Sequence, residues 1–206
     1  VLVPMVIEEP SVVAGASFMA KLARAKGGFI AESTEALMIG QLQVLQINNL
    51  HEAKQKILDN KQELIEYIDT FPSSIKKRGG GARDIEVRVF ESSPIGSFLV
   101  VHLIYDVRDA MGANAINTAC EQLSPKIEAL TGGKVHLKIL SNLSDRRITK
   151  SKCVIPVKEL EIVGQIGNLS YTGEKVRDGI IEAWAFAASD PYRAATHNKG
   201  IMNGVD

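Results

Sequence analysis

The sequence carries no excess of charge of either sign, because 24 lysine and arginine residues balance 24 aspartate and glutamate residues. A protein that holds a nucleic-acid backbone or an anionic membrane over a whole face needs a basic excess on that face. The composition therefore argues against a polyanion partner. We expect no nucleic acid and no membrane among the partners of this chain.

Long apolar runs are also missing. The longest, residues 98–105, is far shorter than the ~20 residues of a membrane helix and contains His102. The sequence therefore predicts no membrane-spanning segment. With 45% apolar and 23% charged residues among 206, the chain can bury roughly 70% of the surface that its unfolded form exposes. This balance indicates a globular protein of one or two domains.

Cysteine is scarce, with only Cys120 and Cys153, and the pair shows neither CxxC spacing nor a nearby histidine cluster. Such spacings are typical of metal and redox sites, and unpaired thiols are typical of a reducing compartment. We therefore predict no metal site and interpret both residues as reduced core thiols of a cytoplasmic protein. The first residue, Val1, lies in an apolar strand pattern without an initiator methionine or signal peptide. We expect this chain to be a piece of a longer one.

The apolar periodicity divides the chain into an inserted part and an outer part. Residues 37–141 show strand patterns near 42–44, 85–89, 98–105 and 135–139, and helix patterns over 50–68 and 116–130. This order, β-α-β-β-α-β, is that of ferredoxin-like folds. We predict an α+β protein in which residues 37–141 form a small ferredoxin-like domain. Residues 1–36 and 142–206 would then form parts of a larger, discontinuous α/β domain.

Three segments place polar side chains where a strand or helix ends. The first is residues 8–11, Glu-Glu-Pro-Ser. Neighbouring residues of a strand point to opposite faces, so only one of the two glutamates can enter a given site. Acidic residues also favour the start of a helix without any further role, and this alternative stays open.

The second segment, residues 106–114, leaves a strand and opens a helix. Gly112 would let a ligand approach the backbone, and the free amides at the start of a helix attract phosphate. The segment matches neither GxGxxG nor GxxxxGK[ST]. Asp109 and Asn114 would also serve as caps of the helix, so phosphate binding and simple capping both remain open.

The third segment, residues 190–204, concentrates an arginine, a lysine, a histidine and two asparagines among few apolar residues. Arg193 suits a carboxylate or phosphate on a substrate. Lys199 placed against a carbonyl group would stabilise an oxyanion. A solvated polar loop is the alternative explanation for this segment.

Taken together, residues 3–14, 109–114 and 195–204 resemble the signature segments of class II 3-hydroxy-3-methylglutaryl-coenzyme A reductases in order and separation. The resemblance implies an oxidoreductase of mevalonate and isoprenoid metabolism. Such an enzyme interconverts 3-hydroxy-3-methylglutaryl-CoA with mevalonate and coenzyme A, using two molecules of NAD(P)H. The cofactor implied is NAD(H) or NADP(H).

The resemblance also implies roles for individual residues. Glu9 resembles the glutamate that delivers a proton at the carbonyl, and Lys199 resembles the lysine that stabilises the oxyanion. The residues implied to bind the hydroxymethylglutaryl group are Ser11, Arg193 and Asn203. Those implied to line the dinucleotide site on the inserted domain are Asp109, Met111, Gly112 and Asn114.

Further expectations follow from the same resemblance. The family's catalytic aspartate and a late histidine are expected beyond Asp206, so we expect this piece alone to be inactive. The family's active site lies between subunits, which implies a homodimer or higher oligomer. The choice between NADH and NADPH stays open, because Asp69 favours the first and residues 76–78, Lys-Lys-Arg, favour the second.

Two other functions are considered. The first alternative is a catalytically incomplete fragment that binds a coenzyme A thioester or acts as a structural or regulatory module. A ferredoxin-like sheet would also bind RNA by stacking bases on aromatic residues. Phe98 and Tyr105 are the only aromatic residues on the relevant strand, which argues against that function.

Overall fold

The computed structural model describes residues 10–166 and 169–205. Its helices are α1 (Pro10–Ala23), α2 (Leu50–Asp59), α3 (Lys61–Asp69), α4 (Ser74–Lys77), α5 (Ala113–Thr131), α6 (Gly173–Ser189) and α7 (Pro191–Val205). Its strands are β1 (Phe29–Ser33), β2 (Leu37–Leu45), β3 (Gly81–Phe90), β4 (Phe98–Asp106), β5 (Lys134–Ser141), β6 (Thr149–Cys153), β7 (Ile162–Ile166) and β8 (Leu169–Tyr171). The fold is therefore a mixture of α-helices and antiparallel sheets.

The chain divides into two compact units. Residues Ser33–Thr149 form one continuous unit, and Val1–Glu32 together with Lys150–Asp206 form the other. Strands β1 and β6 pair in a two-stranded sheet, and both points at which the chain passes from one unit to the other lie within these strands.

A four-stranded sheet forms the centre of the continuous unit, in the order β3-β4-β2-β5. All three neighbouring pairs are antiparallel. Leu42 and Val44 of β2 are fully buried, whereas Gln41 and Gln43, which alternate with them, are only half-buried. This alternation arises because successive side chains of a strand point to opposite faces.

Helices α2, α3 and α5 pack against the buried face of this sheet. Ile57 of α2, Leu64 of α3 and Leu123 of α5 are all at most 1% exposed. The pattern over 50–68 predicts one helix, but the structure breaks it at Asn60, which ends α2 and precedes α3. The side-chain amide of Asn60 donates to the carbonyl oxygen of Lys56 at 2.8 Å, closing the last turn of α2.

Cys120 and His102 are two buried titratable residues of the same unit. Burial raises the pKa of the Cys120 thiol to about 12, so it stays protonated. Burial and then Arg88 lower the pKa of His102, whose Nε2 lies 2.9 Å from Nε2 of Gln41. The interpretation of Cys120 as a core thiol is confirmed, whereas Cys153, at the end of β6, is only half-buried.

The other unit contains α1, the β7–β8 hairpin, α6 and α7. Thr172 caps α6, because its hydroxyl oxygen accepts from the amide of Lys175 at 3.3 Å. Several large apolar side chains of the two last helices are more than half exposed: Ile180, Ile181, Trp184, Phe186, Ile201 and Met202. Among the residues described here, no helix has both the length and the hydropathy needed to cross a bilayer.

Candidate functional site

The turn between β4 and α5, residues 107–112, has an unusual backbone. Arg108 has φ 54° and Gly112 has φ 85°, both in the left-handed region. The amide of Ala110 donates to the carbonyl oxygen of Val107 at 3.1 Å, which closes the turn. We call this segment the 107–112 loop.

Helix α5 begins without a side-chain cap. Its N-cap is Gly112, and within residues 10–166 and 169–205 no side chain is seen to accept a hydrogen bond from its first amides. The alternative that Asp109 and Asn114 serve only to cap this helix is therefore wrong. The first amides of a helix carry partial positive charge and readily bind an anionic group.

Gly112 is required here for two reasons. Few residues other than glycine adopt its backbone conformation without strain. In addition, a Cβ atom at this position would lie 2.7 Å from Cβ of Val107, whose side chain is completely buried. The 107–112 loop thus folds back so closely that only glycine fits at the start of α5.

Asp106 fixes the end of β4 from which the loop departs. Its carboxylate accepts from Nη2 of Arg83 at 2.9 Å and from the backbone amide of Arg108 at 3.0 Å. Burial of Asp106 acts to raise its pKa, but these hydrogen bonds and the two guanidinium groups outweigh burial and lower the pKa. Asp106 is therefore ionised at neutral pH and pairs with Arg83, outside the loop, and with Arg108, within it.

The glycine run 79–81 also contacts this end of the loop. The carbonyl oxygen of Gly79 accepts from Nη2 of Arg83 at 2.6 Å and from Nη2 of Arg108. Sequence reasoning gave the glycine run, Arg83 and Asp106 no role. One signal was available, since Asp106 is a charged residue at the very end of the most apolar strand.

A cavity of about 270 Å³ adjoins the start of α5. Asn114 and Thr118 of α5 line it, together with Tyr105 of β4 and the segment 71–74 that precedes and begins α4. The hydroxyl of Tyr105 lies 3.5 Å from Oγ of Ser73. Polar and apolar groups therefore share the wall, as is usual for small-molecule sites.

The four residues predicted to line the dinucleotide site lie near the start of α5. Asp109 and Asn114 are exposed, Met111 is 76% exposed, and Gly112 is half-buried. All four lie within the 107–112 loop or the first turn of α5.

The remaining predicted residues belong to the other unit. Ser11 lies in the first turn of α1, and Arg193 and Lys199 both lie in α7. The alternative of a solvated loop over 190–204 is thus wrong, because residues from Pro191 onward are helical. Glu9 and the side chain of Asn203 lie outside the described residues. No group of three or more histidine, cysteine, aspartate or glutamate residues in the described part could hold a metal ion.

Comparison with known proteins gives the family. The sequence model of the family described as hydroxymethylglutaryl-coenzyme A reductase matches residues 1–206, the whole of this chain. The chain belongs to the hydroxymethylglutaryl-coenzyme A reductase family. The family predicted from the three sequence segments is therefore confirmed.

Relatives of the hydroxymethylglutaryl-CoA reductase family are similar over almost all of this chain. The 3-hydroxy-3-methylglutaryl-coenzyme A reductase of Archaeoglobus fulgidus is 50% identical over 204 residues, which cover 99% of this chain and 44% of that protein. The probable reductase of Borreliella burgdorferi is 29% identical over 202 residues, 98% of this chain and 44% of that protein. The chain spans less than half the length of these relatives.

Solved reductase structures share the fold. The class II enzyme of Streptococcus pneumoniae bound to NADPH in open conformations has a TM-score of 0.87 and 43% identity, covering 99% of this chain and 47% of that one. Another structure of the Streptococcus pneumoniae reductase has a TM-score of 0.88 and 42% identity, covering 99% of this chain and 53% of that one.

Proposed function

We propose that this chain is part of an enzyme that interconverts 3-hydroxy-3-methylglutaryl-CoA with mevalonate and coenzyme A, using NAD(P)H. The observation that carries the proposal is the 107–112 loop, which leads into an uncapped helix start in a chain of the hydroxymethylglutaryl-CoA reductase family. A Streptococcus pneumoniae member similar to this chain binds NADPH. A thioester is reduced to a primary alcohol by two hydrides, so each turnover would consume two cofactor molecules.

The continuous unit is the part we assign to the cofactor. Its strand order, β3-β4-β2-β5, and its helices on one sheet face support a ferredoxin-like domain. The small domain predicted over 37–141 lies within this unit, Ser33–Thr149. The outer unit would then bind the substrate, as proposed for residues 1–36 and 142–206.

The residues around the loop fit a dinucleotide. When bound, the nicotinamide cofactor supplies the hydride. Gly112 leaves room for a phosphate to approach the backbone, and the first amides of α5 would donate to it. The adjoining cavity of about 270 Å³ is too small for a whole dinucleotide and suits one nucleoside of it. Asp109, Met111 and Asn114 would contact the rest of the cofactor.

The outer unit would carry the chemistry at the thioester. Lys199 would stabilise the negative charge on the carbonyl oxygen, and Glu9 would deliver a proton there. Ser11, Arg193 and Asn203 would hold the hydroxymethylglutaryl group, with Arg193 on its free carboxylate. These roles follow from the family resemblance.

We further propose a cytoplasmic homodimer or higher oligomer with the active site between subunits. The exposed apolar side chains of α6, among them Trp184 at 66% and Phe186 at 56% exposure, support an interface. Two free cysteines support a reducing compartment.

The proposal is tested by turnover of the full-length protein. We expect NADPH to be oxidised only when 3-hydroxy-3-methylglutaryl-CoA is present, with mevalonate as the product. The absorbance of NADPH measures its oxidation, and chromatography of the product measures the formation of mevalonate. Binding of the thioester without any oxidation of NADPH would instead favour the catalytically incomplete or regulatory alternative.

Replacing Asp109 by alanine tests the cofactor site. We expect roughly tenfold weaker NADPH binding, because a charged hydrogen-bonding group of the exposed loop is lost, and nearly unchanged affinity for the coenzyme A thioester. Fluorescence titration measures the affinity for NADPH, and calorimetry measures the affinity for the thioester. Asp59→Ala removes the same charge from the exposed end of α2 and should change neither. Equal loss of both affinities in Asp109→Ala would show that the site is misplaced.

A further inference from the structure

Arg147 reaches the 107–112 loop from a distant part of the chain. It lies in the segment between β5 and β6. Its Nη1 donates to the carbonyl oxygen of Ala110 at 2.9 Å, and its Nη2 donates to that of Arg108 at 3.4 Å. One guanidinium group therefore contacts two carbonyl oxygens of the loop. The planar fork of arginine holds two acceptors in a fixed geometry, whereas the donors of an ammonium group all lie on one nitrogen at the end of a flexible stem.

The backbone on both sides of Arg147 is itself fixed. The hydroxyl of Thr34 donates to the carbonyl oxygen of Arg146 at 2.9 Å and accepts from the amide of Ile148 at 2.9 Å. The amide of Thr34 donates to the carbonyl oxygen of Ile148 at 2.9 Å. The amide of Arg147 donates to the carbonyl oxygen of Ser144 at 3.2 Å. The guanidinium group is thus attached to an anchored segment, so it can restrain the loop.

The contacts with Arg147 also orient amide groups. In a planar trans peptide, the C=O of one residue and the N–H of the next point in opposite directions. The carbonyl groups of Arg108 and Ala110 are directed toward Arg147. The amides of Asp109 and Met111, which share those two peptide planes, are therefore directed away from it. Both belong to residues of the proposed cofactor site.

We propose that Arg147 is a positioning residue that orients the amides of Asp109 and Met111 as donors to a phosphate group of the cofactor. It contacts the loop backbone and acts on the cofactor through it. The inference rests on the proposed function, because the loop is taken to bind a nicotinamide dinucleotide. Donors held in place before binding increase affinity, since less conformational entropy is lost when the ligand binds.

Substitution of Arg147 in the full-length protein tests the proposal, with Arg146 as the matched control. Arg146 is the preceding residue, but its guanidinium group pairs with Glu86 at 2.7 Å and makes no hydrogen bond to the loop. We expect Arg147→Ala to weaken NADPH binding about tenfold, raise the KM for NADPH similarly, and leave kcat within about threefold. Thioester affinity should be unchanged. Arg147→Lys should recover only part of the loss, and Arg146→Ala should bind NADPH normally.

Hydrogen exchange in the ligand-free protein separates this inference from the proposed function. We expect peptides that contain residues 108–112 to exchange faster in Arg147→Ala than in Arg146→Ala. Unchanged exchange in both variants would overturn the inference, and so would an equal loss of NADPH affinity in both. A wild-type protein that binds no NADPH would refute the proposed function and the phosphate role together, whereas the exchange result would still report whether Arg147 restrains the loop.

Discussion

Replacing Lys199 by alanine in the full-length enzyme is expected to lower kcat by roughly 100-fold to 1,000-fold. The lysine would face a carbonyl oxygen that becomes negatively charged only as hydride is transferred. Its contribution is therefore larger in the transition state than in the ground state, so the loss appears in kcat more than in KM. Steady-state kinetics with 3-hydroxy-3-methylglutaryl-CoA and NADPH measure both constants.

Two variants serve as comparisons for Lys199→Ala. Arg193 lies six positions earlier in the same helix, α7, and would hold a carboxylate remote from the reacting carbon. Arg193→Ala should therefore raise the KM of the thioester at least as much as it lowers kcat. Lys152 is an exposed lysine of β6, and Lys152→Ala should leave both constants unchanged. A Lys199→Ala enzyme with near-normal kcat would refute the assigned role.

The second large effect is expected on stability. Gly112→Ala should destabilise the protein by about 2–5 kcal/mol, because two costs add. A residue with a Cβ atom in the left-handed region costs about 1–2 kcal/mol, and forcing that atom against the buried side chain of Val107 costs about 1–3 kcal/mol more. Urea unfolding measures the change. NADPH affinity should fall as well, because the loop that leads into α5 must shift.

Gly132 provides the matched control for this experiment. It follows the same helix, α5, at its other end and has φ 67°, also in the left-handed region. A Cβ atom there would meet nothing within 4 Å. Gly132→Ala should therefore show the conformational cost alone, with unchanged NADPH affinity. If the two alanine variants lost equal stability, close packing at Gly112 would not matter and our account of the loop would be wrong.

The regular elements of the continuous unit were predictable because their side chains show a clear period. Leu42 and Val44 alternate with glutamines, and α5 repeats apolar residues such as Ile116 and Leu123 at helical spacing. The position of the 107–112 loop was also predictable, since Gly112 stands between a strand pattern and a helix pattern. In these places, local composition and tertiary burial favour the same structure.

Contacts between distant residues could not be predicted in the same way. Arg83 and Asp106 are 23 positions apart, and Thr34 and Arg146 are 112 apart. No short-range pattern indicates such partners. Strand β1 was missed for a related reason: all of its residues are exposed, so it shows no apolar alternation.

Helix α7 was obscured by its composition. The segment 190–204 is polar and contains two glycines, both features that are unfavourable in a helix interior. A start signal was nevertheless present, because Asp190 precedes proline at the first helical position. In the structure the carboxylate of Asp190 accepts from the amide of Tyr192 at 3.1 Å.

The order of the two units along the chain has a consequence for biosynthesis. Residues Val1–Glu32 belong with Lys150–Asp206, but the whole of Ser33–Thr149 lies between them. A ribosome adds about 5–20 residues per second, so the early segment waits roughly ten seconds for its partners to be synthesised. The continuous unit can complete its sheet during that interval.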